Sequence, residues 1–142
     1  MKRADVVRIA RECEGTPYRH QGRVIGLGMD CPAPYCYVCE SLGIPYADEM
    51  GYSRTPFDGR MMQILDSQPS LEHVAKSEML PGDVLCMRIK SAPQHMAIHV
   101  GKINGYDCIL HGSSEHGKVA VHRLCDLWGA RIMKVYRFKG IE

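Results

Sequence analysis

The sequence predicts an α+β fold, with helices first and a mainly antiparallel five-stranded sheet after them. Three observations carry that expectation. Apolar residues recur at helical period through the first half of the chain. After Leu80 the period changes to alternation. Turn signals such as Pro81-Gly82 and Asn104-Gly105 then separate short alternating runs, the pattern of strands joined by tight turns.

The elements follow in order. Val6, Val7, Ile9, Ala10 and Cys13 fall on one face of a helix over residues 2–13, and Glu14-Gly15-Thr16-Pro17 stops it. Residues 18–30 hold Gly22, Gly26 and Gly28 and read as a loop, long enough to suggest a functional one. A second helix is expected over residues 31–42, with Tyr35, Cys36, Val38, Cys39 and Leu42 at helical spacing and Gly43 and Pro45 closing it. Pro32 and Pro34 fit this helix because its first four N–H groups have no internal partner. A third helix is expected over residues 56–66, capped by Thr55, with Pro56 in its first position and Asp58 in its first turn. Its Met61, Met62, Ile64 and Leu65 make a core stripe. Strands are expected over residues 83–89, 95–103, 106–111, 118–124 and 132–138, with Asn104-Gly105 forming a hairpin.

The 142 residues and 16.0 kDa amount to one domain, residues 1–142, able to bury a core without disulfide staples. Hydrophobic residues at 45% and charged residues at 24% exclude a mainly disordered chain. No apolar run approaches the roughly 18 residues of a membrane helix, and the basic N-terminus reads as a helix and not as a signal peptide. Net charge is +2, and neither half is basic enough to announce a nucleic-acid surface. Arg131, Lys134, Arg137 and Lys139 read as a solvated strand face. The seven cysteines are odd in number, and with no export signal visible they are expected as free thiols made in the cytoplasm.

One of the seven stands at a chemically useful place. Cys31 follows Gly28-Met29-Asp30 and opens a helix, where the positive end of the macrodipole favours a thiolate. Pro32 and Pro34 lack N–H groups, so the backbone donors near the sulfur belong to Cys31 and Ala33, either of which suits an oxyanion. A thiol nucleophile needs a histidine as base and acid. Alternation places His95, Ala97 and His99 on one strand face, and the following strand ends in His111. Adjacent antiparallel strands can bring His95 and His111 side by side, with His111 fixing the tautomer of His95. His99 is a competitor on the same face. His20, His73, His116 and His122 read as loop or solvent-face residues, although His20 and Arg19 lie near Tyr18 and can line a groove.

Other chemistry competes for the same residues. Cys36-Tyr37-Val38-Cys39 is a Cys-x-x-Cys, but no second paired cluster accompanies it, so a structural zinc site lacks its partners. A thioredoxin-like role lacks the surrounding βαβ pattern. Both cysteines fit the core face of the second helix.

Several motifs in order carry a family resemblance. Gly15-Thr16-Pro17-Tyr18-Arg19-His20-Gln21-Gly22-Arg23 and Gly28-Met29-Asp30-Cys31 resemble the catalytic half of NlpC-type cell-wall cysteine peptidases. Leu80-Pro81-Gly82-Asp83-Val84-Leu85 resembles the strand before the histidine. His95-Met96-Ala97-Ile98-His99-Val100-Gly101 resembles the histidine strand, and Leu110-His111-Gly112-Ser113 the strand carrying the third polar residue. Val121-His122-Arg123-Leu124 and Val135-Tyr136-Arg137-Phe138 resemble the closing strands of the branch encoded in phage tail modules and gene-transfer-agent clusters. The resemblance runs from about residue 5 to 139.

It implies a papain-like fold and hydrolysis of amide bonds in peptidoglycan stem peptides, with no metal or organic cofactor. By motif match, Cys31 is the nucleophile, His95 the general base and acid, and His111 the orienting residue. Tyr18 helps shape the oxyanion site and Asp30 is structural. A phage-type setting would make phage tail proteins partners, and the protein virion-associated or released. Pro32-Ala33-Pro34 departs from the family, which has a small residue, Gly and an apolar residue after the cysteine. That departure keeps two alternatives open: a tail or assembly component without the chemistry, and a thiol hydrolase or acyltransferase on another substrate.

Overall fold

A computed structural model describes residues 1–48, 60–89 and 92–142. Helix α1 (Arg3–Arg11) has Asp5 in its first turn and Arg8 and Arg11 in its last, charges that suit both ends of its dipole, and it buries Val6, Ile9 and Ala10. A two-stranded hairpin follows, β1 (Arg23–Val24) and β2 (Gly28–Met29), inside the segment the sequence presents as loop. Helix α2 (Ala33–Leu42) begins two residues later than expected and ends at Gly43, whose φ of 67° lets the Ile44 N–H turn back to the Cys39 carbonyl at 2.8 Å. Of the third expected helix, α3 (Arg60–Asp66) is present, and the Thr55 cap, Pro56 and Asp58 lie outside the described residues.

The strands are β3 (Leu71–Val74), β4 (Val84–Ile89), β5 (Ala92–Ile103), β6 (Tyr106–Ser113), β7 (Lys118–Arg123) and β8 (Ile132–Phe138). A 3₁₀ turn (Lys76–Glu78) precedes β4, and a four-residue helix α4 (Asp126–Gly129) precedes β8. They form one sheet in the order β3-β8-β4-β5-β6-β7, every neighbour antiparallel. The sheet therefore has six strands and not five. The extra one, Leu71-Glu72-His73-Val74, is too short and polar to alternate, and its pairing with β8 from Leu71–Phe138 to Val74–Val135 defines it. A short, charged strand at the rim also protects the edge. Asn104 (φ 53°) and Gly105 (φ 83°) make the β5–β6 turn left-handed at both central positions, as a two-residue hairpin requires.

The sheet is covered on both sides. Beneath α1, α2 and α3 lie Val84, Cys86, Met96, Ile98, Leu110, Tyr136 and Phe138. On the opposite face Leu85, Met87, Ala97, Ile109, Ile132 and Val135 are covered by Val74, Met79, Leu124 and Trp128. All seven cysteines are free, and Cys36 and Cys39 are buried in the helix-side core.

The charged residues of β8 are only partly a wet face. Arg137 binds both oxygens of fully buried Asp83, at 3.0 and 2.9 Å, and Arg3 reaches the same carboxylate at 3.2 Å. Asp83 also accepts the Leu80 N–H at 2.8 Å. The N-terminal helix is thus tied to the turn that opens β4. Lys134 pairs with Asp66 of α3 at 2.7 Å.

Candidate active site

The site forms where two strands part. Pairing of β5 with β6 begins at Ile98–Leu110, while residues 95–97 of β5 pair with β4. The segment leading into α2 sits over this opening. A Cβ on Gly112 of β6 would collide with the Asp30 carbonyl and come within 3.0 Å of the Cys31 nitrogen. Only glycine lets the Asp30–Cys31 peptide lie this close to the sheet. Here the Met96 N–H, with no β6 partner beside it, turns to the Cys31 sulfur, which the Cys31 N–H also faces. Cys31 thus lies against the peptide that follows His95.

Asp30 anchors the approach. Its buried carboxylate accepts the Gln21 N–H at 2.7 Å and an Arg23 N–H at 2.6 Å, and Arg23 also clasps Asp48 at 2.9 Å. The carboxylate therefore staples the β1–β2 hairpin to the residue before the cysteine. Tyr18 enters through its backbone: it bridges Met29 in parallel and donates its N–H to the Gly117 carbonyl at 2.9 Å. It is half-buried, and Ala33 is buried as the first residue of α2.

His95 and His111 meet. His95 Nε2 lies 2.6 Å from His111 Nδ1, the rings edge to face at 4.7 Å. They meet on the diagonal, because the register projects His111 opposite Ala97. His99, the competitor on the same strand, is not part of this pair. It is buried, neither ring nitrogen has a hydrogen-bond partner, and Nε2 lies 3.5 Å from an Asp107 oxygen.

Two residues expected on the solvent face belong to the cluster. His122 Nε2 lies 2.7 Å from His111 Nε2, and His122 Nδ1 lies 3.0 Å from the Arg123 carbonyl. His116 stacks on His122 at 5.3 Å and exchanges hydrogen bonds with the Ser113 hydroxyl. Trp128 of α4 packs against His111 at 5.2 Å and His122 at 4.7 Å. The sequence held a signal for His122. Residues 118–124 read as a strand, and the register Ile109–His122 and His111–Ala120 then puts both histidines on one face. Among the described residues no group of three or more His, Cys, Asp or Glu is placed to hold a metal ion.

Burial sets the electrostatics. It pushes the Cys31 thiol up to about 12; the Asp30 charge adds to this, while the Met96 N–H, Arg23 and the Cys31 N–H pull the other way. Burial takes His95 down to about 4, helped by the positive charge of Arg131, and a proton on His122 would lower it further. His111 moves in the same direction for the same reason, with His95 and His122 adding to it. Burial thus works against the thiolate that a helix N-terminus favours. Cys31 precedes α2 by two residues and is partly buried beside a carboxylate, and desolvation outweighs the dipole.

The comparisons with known proteins agree with this architecture. The NlpC/P60 family model matches residues 15–137. No curated protein sequence matches the chain. Among solved structures, the chain resembles the NlpC/p60 domain of the peptidoglycan hydrolase SagA, with 21% identity, a TM-score of 0.60, and 95% of this chain and 97% of that one covered. It also resembles the peptidoglycan hydrolase RipB from Mycobacterium tuberculosis, with 22% identity, a TM-score of 0.61, and coverage of 94% and 63%. A third is an NLP/P60 family protein from Staphylococcus aureus described as similar to a lipoprotein, with 17% identity, a TM-score of 0.63, and coverage of 96% and 41%. The chain spans less than half the length of that protein. At these identities the likeness is one of fold.

Proposed function

The chain belongs to the NlpC/P60 family, and from that premise we propose that it is a cysteine peptidase that hydrolyses amide bonds in peptidoglycan stem peptides. Members of the family are cysteine peptidases acting on peptidoglycan, and the family includes inactive members. One observation carries the reading for this chain: the Cys31 peptide, seated on Gly112, lies beside the strand that holds His95 in hydrogen bond with His111. Those are the parts acyl transfer to sulfur requires.

In this mechanism the neutral His95 takes the Cys31 proton as the sulfur attacks the amide carbonyl. A C–S bond forms, and the oxyanion is held by backbone N–H groups at Cys31 and Ala33 with Tyr18 nearby. The intermediate collapses as protonated His95 gives its proton to the leaving amine, breaking the C–N bond. Water then attacks the thioester with His95 as base, releasing the acid and restoring the thiol. With the thiol up to about 12 and His95 down to about 4, proton transfer accompanies attack and does not precede it.

The test compares wild type with Cys31→Ala on purified peptidoglycan, reading released amines and fragments by mass spectrometry. Release by wild type alone is expected, and equal release by both overturns the mechanism. Pro32-Ala33-Pro34 and the high thiol value favour one rival, a member that keeps the fold without the chemistry. That rival gains if neither protein releases anything. The likeness of residues 121–124 and 135–138 to the phage-tail branch supports a role at a tail tip, opening the wall during genome entry or acting in tail assembly. Recovery of the protein with purified tail particles tests that placement.

A further inference from the structure

The geometry points to His122 as a positioning residue that sets the tautomer of His95 through His111. The inference rests on the hydrolase reading of the same site. It starts from a group whose role is unambiguous. The Arg123 carbonyl oxygen accepts and cannot donate, so His122 Nδ1, 3.0 Å away, carries a hydrogen.

A neutral imidazole has one N–H, which leaves a lone pair on His122 Nε2. His111 Nε2, 2.7 Å from it, must donate. His111 Nδ1 is then bare and accepts from His95 Nε2 at 2.6 Å. His95 Nδ1 is left as the bare nitrogen, the one not engaged by His111, and in the proposed mechanism it takes the Cys31 proton. One backbone carbonyl on β7 thus fixes three rings in turn, and the last has the form a general base needs. Burial, which holds His95 and His111 neutral, keeps one proton on each ring.

The fold holds this chain in place. The registers Ile109–His122 and His111–Ala120 put His111 and His122 on one sheet face as diagonal neighbours. Trp128 packs against both rings, and His116 stacks on the second. Without an acceptor at position 122, His111 loses the partner that selects its Nε2–H form. The opposite form would donate from Nδ1 to His95 Nε2 and move the His95 proton onto Nδ1, leaving no base toward the cysteine.

The test reads tautomers directly. Two-bond ¹⁵N–¹H correlation spectra of the wild-type protein with ¹⁵N-labelled histidine, near pH 8, are expected to show His95 and His111 as Nε2–H and His122 as Nδ1–H. His122→Phe keeps a ring against Trp128 but removes the acceptor. It is expected to shift His111 and His95 toward Nδ1–H and lower kcat on peptidoglycan about 10- to 100-fold with KM little changed. His122→Gln, whose side-chain oxygen can stand in for Nε2, restores both tautomers and most of the rate. A wild-type His95 in the Nδ1–H form overturns the inference, and so do tautomers unmoved by His122→Phe. If that variant does not fold, the wild-type and His122→Gln spectra decide by the same criterion. If wild type releases nothing from peptidoglycan, the hydrolase reading fails while the spectra still judge His122.

Discussion

The two faces of the sheet are organised on different principles. On the helix side, contact is made by backbone and apolar surface: Gly112 admits the Asp30–Cys31 peptide, and Met96, Ile98 and Leu110 fill the space beneath the helices. On the other face His95, His111 and His122 are linked ring to ring, and the order ends at the Arg123 carbonyl. Cys31, the proposed nucleophile, is placed by steric fit and His95, the proposed base, by hydrogen bonds. The first tolerates no added atom at one position. The second tolerates a change of residue wherever the donor and acceptor pattern is kept.

The largest expected effect breaks the helix side. Gly112→Ala sets a methyl against the Asp30 carbonyl and must displace Cys31. Misplacement by about 1 Å costs on the order of 100-fold in rate, so kcat/KM on peptidoglycan is expected to fall at least that far. Leu110→Ala, two residues away and fully buried, is the control. It is expected to lose about 2–5 kcal/mol in chemical denaturation while the folded fraction keeps its turnover number. Equal turnover losses in the two variants would mean that packing in general, and not the approach at Gly112, controls the site.

The next effect belongs to the histidine face. His95 has a folded pKa near 4 against an ordinary 6.5, so the unfolded chain binds the extra proton between those values. Stability is then full above about 6.5 and falls as pH drops toward 4, by about 3 kcal/mol from this group. His111 adds loss in the same direction. Denaturation of wild type and His95→Leu across that window checks it: the variant should show the shallower dependence. A related measurement follows the thiol. With Cys31 pushed up to about 12, iodoacetamide labelling of that residue is expected to be slow near neutrality and to rise steeply in alkali. Fast labelling at pH 6 would instead show a resting thiolate–imidazolium pair.

The smallest effect concerns His99. It is buried with neither ring nitrogen hydrogen-bonded and with only an Asp107 oxygen 3.5 Å from Nε2, so its lost hydration is poorly compensated. His99→Phe is expected to raise stability by about 1 kcal/mol near pH 8 and leave turnover unchanged. A loss of turnover would give His99 a place in the reaction.

What was legible in the sequence follows the same division. Periodicity alone placed α1 and β8, and it found β4 to β7 because long alternating runs and the Asn104-Gly105 turn report on backbone that packs on both sides. The meeting of His95 and His111 was legible from adjacent antiparallel strands, while the roles proposed for Cys31, His95 and His111 came from the family resemblance. Strand β3 escaped because four residues with one buried apolar end have no period to detect, and its partner lies 61 or more residues away. His122 escaped because a single histidine on an outer strand looks like a solvated one until the diagonal to His111 is known. The acidity of Cys31 escaped for a different reason. A helix N-terminus is visible in sequence, whereas partial burial beside Asp30 and against the Met96 backbone is a property of the assembled sheet.

The central claim is that the sulfur placed over Gly112 is the atom that attacks the substrate. Acid quenching of wild type during turnover on soluble stem peptides, followed by peptide mapping, tests it most directly. A hydroxylamine-labile acyl adduct on the peptide containing Cys31, and none in Cys31→Ala, is the predicted result. Undiminished substrate cleavage by Cys31→Ala, or an adduct on any other residue, would contradict it.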